Sequence, residues 1–146
     1  MDAISLSIRE LPTRYHGHPA IESRLWQRAE YDEKEVLFSY QEGPTPHLLP
    51  VNYAEDFRLI RWGGIVLASD LRKPMWRRHH PVDVLIQAQA LLDRKVWISV
   101  IEGIHGICVQ DDQGIAMGYM VMVPSTDYYQ IMTKSRVMPW LVGEVI

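Results

Sequence analysis

Two tryptophans and five basic residues fall within one short stretch, as Arg61-Trp62, Arg72-Lys73 and Trp76-Arg77-Arg78, framed by Gly63-Gly64, Pro74 and Pro81. Guanidinium groups pair with phosphates, indole faces stack on unpaired bases, and glycines let a ligand approach the backbone. That combination suits a single-stranded nucleic acid. Arg61, Arg72, Lys73, Arg77 and Arg78 would meet phosphates, and Trp62 or Trp76 would stack. Charge supports the same location. Residues 58–80 hold six Lys/Arg against one Asp, whereas both flanks are acidic, and the whole chain carries a net charge of −3. A basic segment set in an acidic chain is where a polyanion would dock, although tryptophans also serve as core residues and arginines as solvated surface.

Other chemistries find less footing. The metal-ligating types are His16, His18, His79, His80, His105 and Cys108, with no CxxC or HExxH spacing to gather them. No metal and no cofactor are expected. Cys108 has His105 three residues away, but on a strand the two face opposite sides, so a buried structural thiol is the simpler reading of this lone cysteine. No GxSxG elbow or GxxxxGK[ST] loop occurs; Asp111-Asp112 reads as turn chemistry and Ser125 or Thr126 as a helix cap. No catalytic residue is assigned.

The elements that must position these residues are strand-rich. Ile21, Leu25, Trp26 and Ala29 behind Pro19 predict a short helix over 20–30, and residues 36–40 a strand. Residues 47–53, broken by Pro50, predict an edge strand; 57–62 predict a strand that Gly63-Gly64 interrupts before Ile65-Val66-Leu67. Pro81 followed by Val84, Leu85, Ala88, Leu91 and Leu92 predicts an amphipathic helix. The apolar run 96–109, a turn at Asp111-Asp112-Gln113-Gly114 and a return strand 115–123 predict a hairpin. A capped helix through Tyr129, Ile131 and Met132 and a final strand 140–146 complete the chain. The sum is an α+β fold: a curved, mainly antiparallel sheet, partly closed into a barrel, with two or three flanking helices.

At 146 residues, 47% apolar and 23% charged, the chain fits one globular domain with a single core. No apolar run is long enough for a membrane span, the first residues lack a signal-peptide core, and one unpaired cysteine fits a reducing compartment, so a cytoplasmic protein is expected.

With these motifs in order, the chain resembles the SRAP family, the SOS-response-associated peptidases, whose members bind single-stranded DNA and cross-link abasic sites. The likeness rests on Pro50-Val51, then Arg61-Trp62-Gly63, then Trp76, and further on Pro124-Ser125-Thr126 leading to Met138-Pro139-Trp140-Leu141. It spans about residues 36–146. The departures fall on the family's chemistry. Met1 is followed by Asp2 in place of the family's cysteine, Gln87-Ala88-Gln89 replaces Asn-Ala-Arg, the motif glutamate falls near Gly106, and the histidine position holds Ser135. The resemblance implies a non-catalytic accessory protein that keeps a nucleic-acid groove. The alternative is a protein-interaction or regulatory module, self-associating through aromatics and methionines such as Met117, Met120, Met122, Tyr128 and Tyr129. Solution mass separates the two.

Overall fold

The computed structural model describes residues 1–27, 33–40 and 44–143. In chain order it contains β1 (Ala3–Ser7), α1 (Pro19–Glu22), β2 (Leu25–Trp26), β3 (Glu35–Ser39), β4 (Leu48–Tyr53), β5 (Asp56–Leu67), α2 (Pro74–Arg77), β6 (Val82–Ile86) and β7 (Ala90–Asp93). β8 (Val96–Ser99), β9 (Ile104–Gln110), β10 (Ala116–Pro124), α3 (Asp127–Thr133) and β11 (Val137–Pro139) follow. The fold is α+β and mostly antiparallel.

Five strands close a small barrel in the ring order β10-β5-β4-β6-β9, since β9 also pairs with β10; β11 hangs on the free end of β10. Only the β5–β10 seam is parallel among the described pairings. A second sheet, β2-β3-β1-β7-β8, curls until Trp26 and Trp97 from its two edges stack with ring centroids 5.3 Å apart. Ile4, Leu6, Phe38 and Leu91 of this sheet and Leu49, Ile86, Ile104 and Met120 of the barrel share one apolar cluster. Each such side chain contributes about 1.5–3 kcal/mol on burial.

A five-stranded barrel has little room inside, and small residues make that room. A Cβ on Gly118 would lie 2.7 Å from Ile60 Cδ1, and one on Gly106 would lie 2.8 Å from Ile86 Cδ1. These glycines let the isoleucines fill the lumen. Alternation along the strands then directs Val51, Arg58, Val82, Cys108 and Gln110 toward the same interior, nearer one mouth.

Several expectations are corrected. The helix over 81–92 is two strands in different sheets. Val84 and Ile86 alternate into the lumen, and the chain then crosses between sheets, with Gln87 N–H on the Pro50 carbonyl (2.9 Å) and Gln89 N–H on the Ser5 carbonyl (2.8 Å). The β-branched content of β6 and its two ladder partners outweigh the helical spacing. β4 is an interior strand, not an edge. Pro50 is tolerated because it sits where the β6 ladder begins, at Val51, so no donor is missed there.

The Gly63-Gly64 pair does not break β5. It makes a bulge, with Trp62 opposite Gly118 and Gly64 opposite Tyr119, so Gly63 is the extra residue. The helix predicted over 20–30 ends at Glu22, and β2 follows; residues 28–30 lie outside the described residues. The closing strand comes earlier than predicted, as β11, with Leu141 bridging Ile104; residues 144–146 lie outside the described residues. The turn at 111–114 and the return strand form as predicted, but the first arm is β9 alone, because 96–99 form β8 in the other sheet. Asp111 Oδ1 accepts from the N–H groups of Gln113 and Ile115, both at 2.8 Å.

Candidate nucleic-acid interface

Residues 68–80 fold as a 3-10 turn and then α2, started by Pro74 at its first turn, and lie against the outer wall of the barrel. The anchor is Trp76. Its indole meets Tyr119 edge-to-face, with centroids 4.9 Å apart and planes at 82°, and packs with Leu71 and Val109 onto buried Val66, Ile107 and Val121. Tyr119 in turn lies over Gly63, where a Cβ would be 2.6 Å from its ring. The bulge therefore seats the tyrosine that seats the tryptophan.

Anchoring α2 this way sends its cations outward. Arg72, Arg77 and Arg78 are exposed and carry no salt bridge among the described residues. Lys73 differs, since its Nζ pairs with Asp70 at 2.8 Å. Arg61 is exposed on the outer face of β5, in register with Met117 of β10. Met117, Trp76, Tyr119, Met75 and His79 line a cleft of about 310 Å³ beside α2, with Asp111 and Asp112 on its far rim. Arg72, Lys73, Trp76, Arg77 and Arg78 thus share one segment, and Arg61 lies beside Met117 of the cleft, while none of these basic residues lines the cleft itself.

Trp62 does not join them. It is 4% exposed, it points into the barrel core, and its Nε1 donates to the Gly64 carbonyl at 3.1 Å. The expectation that it could stack on a base is corrected: alternation places it opposite Arg61, and the bulge supplies its hydrogen-bond partner.

The remaining candidates are separated. His105 packs against Trp140 with the rings tilted by 37° (centroids 4.1 Å) outside the barrel, and Cys108 faces the lumen. Burial pushes the Cys108 thiol above its ordinary value, against weaker downward pulls from the Met117 backbone and the Arg58 charge. This is the opposite of an activated nucleophile. His16 Nε2 contacts the carbonyls of Ile8 and Leu11, and His18 Nδ1 accepts from Ala20 N–H at the start of α1. Among the described residues no group of three or more His, Cys, Asp or Glu could hold a metal. Ser135 Oγ donates to the Val137 carbonyl at 2.7 Å, and Thr126 caps α3 by accepting from Tyr129 N–H.

The self-association surface also changes composition. Met120, Met122 and Tyr129 are buried, whereas Tyr128, Ile131 and Met132 form an exposed stripe on α3 at i, i+3, i+4 spacing.

Sequence reasoning passed over the open mouth of the barrel. Arg58, which lines it, and Arg14 flank one carboxylate, with Arg58 Nε 3.2 Å from Asp56 Oδ2 and Arg14 Nη2 3.1 Å from Asp56 Oδ1. The hydrogen bond from Arg58, ahead of the other contacts, holds the Asp56 carboxyl below the usual carboxylate range. No local spacing signals this group, because Arg14 comes from a distant turn. No helix among the described residues is long and apolar enough to cross a membrane. No family model, no curated protein and no solved structure matches the chain.

Proposed function

We propose that the protein is a nucleic-acid-binding accessory factor without chemistry of its own, and that it holds a single strand along residues 68–80. The observation that carries this reading is the set of exposed guanidiniums of Arg72, Arg77 and Arg78, without a salt bridge among the described residues, beside the Trp76–Tyr119 cleft. Phosphates run along the arginines and Arg61; a base sits against Trp76, on the side where Asp111 and Asp112 would repel a phosphate. On this reading the SRAP-like order of motifs reflects a shared groove, with the family's chemistry absent at Gly106 and Ser135.

Fluorescence anisotropy of a labelled single-stranded oligonucleotide across a salt series tests it, with duplex DNA and RNA alongside. Saturable binding is expected, with a log–log salt slope of about −0.7 per neutralised phosphate. Reversing Arg77 and Arg78 to Glu should weaken binding at least about tenfold for all sequences and flatten the slope by about 1.4. Absence of binding at low salt, or binding indifferent to salt and to those arginines, refutes the reading.

The α3 stripe supports a second reading, self-association. It requires a concentration-dependent dimer by sedimentation that Ile131→Lys abolishes. A monomer at all concentrations excludes it.

A further inference from the structure

The open mouth of the barrel is a cleft of about 340 Å³, within the size range of small-molecule sites, and barrel mouths are a recurrent place for them. Its walls are mixed: Val51, Ile60, Val82 and Ala116 form an apolar side, with the Cys108 side chain among them, and Gln110 adds a polar one. One cation reaches in. Arg58 lines the cleft, its guanidinium lies 5.4 Å from the centroid of the Tyr53 ring, and its Nε is committed to Asp56. Its two Nη groups have no partner among the described residues.

The Arg58 side chain is 57% exposed, and the contacts on its face and its Nε edge leave its two terminal NH2 groups as a fork toward the cleft, the geometry that holds a carboxylate bidentately. The Asp56 charge does not cancel it, because Asp56 is shared with Arg14, which also donates to the Phe57 carbonyl at 2.8 Å. Two guanidiniums against one carboxylate leave this group of three with net positive charge, and His79 and His80, which also line the cleft, add further donors.

We propose that the barrel mouth is a binding site for a small monocarboxylate with an apolar body about the size of a single ring, the carboxylate on the Arg58 fork and the body between Val51, Ile60 and Val82. The site is distinct from the α2 surface. His79, Val109 and Gln110 line both clefts and form the wall between them, and the arginines assigned to nucleic acid do not line the mouth.

The chain supplies its own reporter. Cys108 is the only cysteine and lines the cleft, so an occupant covers its Sγ. The rate of alkylation of native protein by iodoacetamide, a neutral reagent, is measured against increasing benzoate, with benzamide as the neutral isostere and inorganic phosphate as the anion without a body. Benzoate is expected to slow labelling saturably, with a half-effect at least about tenfold below that of benzamide or phosphate, as befits loss of a charged bidentate contact or of the apolar burial. Arg58→Met, which keeps the aliphatic stem, should abolish the preference for benzoate over benzamide, and reversal of Arg77 and Arg78 should leave it intact.

The wild-type comparison needs no variant to fold. Labelling unaffected by benzoate at about 10 mM, a concentration that saturates even millimolar sites, overturns the proposal. So does equal protection by benzamide, or by phosphate, in the wild-type protein. A folded Arg58→Met protein that retains the preference, confirmed by an unchanged far-UV spectrum, overturns the role of the fork.

Discussion

Tyr129 is fully buried, and its Oη donates to Asp93 Oδ2 at 2.6 Å; the Asp93 carboxylate, 1% exposed, also accepts from the Met1 amine at 3.1 Å. Burial and then the adjacent carboxylate hold the phenol proton far above its ordinary value. The sign of the linkage follows. The unfolded chain releases this proton near pH 10 while the folded chain keeps it, so Tyr129 lowers stability as pH rises above about 10 and has no such effect below. Tyr129→Phe should therefore cost about 1–3 kcal/mol at neutral pH, by leaving a buried carboxylate oxygen unpaired, and should flatten the alkaline loss. Urea titrations at pH 7 and pH 10.5 check both; a mutant as steeply alkali-sensitive as the wild type would remove Tyr129 as the cause. At this scale sequence reading had mixed success. The Asp111 turn and the Thr126 cap were legible because each is closed by a side chain within a few residues. The Asp93–Tyr129 pair was not, since its members are 36 residues apart.

The bulge at Gly63 shows how one element sets another. Gly63→Ala places a methyl group against the Tyr119 ring, where the nearest carbon is 2.6 Å from the added atom. The ring must move, and Trp76 rests on it. Overpacking of this kind costs about 1–3 kcal/mol. The expected outcome is a lowered midpoint in thermal denaturation together with a changed Trp76 emission, and a Trp76→Phe background isolates the second signal. Unchanged stability and emission would mean that the wall accommodates the methyl without disturbing α2. A glycine pair in the sequence announced an irregularity here, yet not its kind. What decides between a break and a bulge is the parallel partner β10, which no local pattern reveals. The same holds for 81–92: Val84, Leu85, Ala88, Leu91 and Leu92 satisfy helical spacing, and only the ladders to β4, β9, β1 and β8 select two strands.

Taken whole, the chain visits its two sheets alternately: β1–β3 in the first, β4–β6 in the barrel, β7–β8 in the first again, β9–β11 in the barrel. Neither sheet is a contiguous piece of sequence, and their inner faces share one apolar cluster. Unfolding should accordingly be a single cooperative transition, with far-UV circular dichroism and tryptophan emission superimposable in urea. Two separated midpoints would show that the sheets are independent units. The α+β class and the curved, closing sheet were legible from short strands and glycine spacing. The mouth of the barrel was not, because Arg58, His79 and Cys108 come to line one cleft only once the ring has closed.

The parallel seam between β5 and β10 governs the order of events during synthesis. β5 emerges from the ribosome with its edge from Arg61 to Leu67 waiting for residues 117–122, and everything between must be translated first. A nascent chain halted before Ala116 therefore carries an open strand edge bearing Ile65, Val66 and Leu67, a template for association with other chains. Ring closure is a late step of biogenesis, and the sequence that completes it also covers the edge.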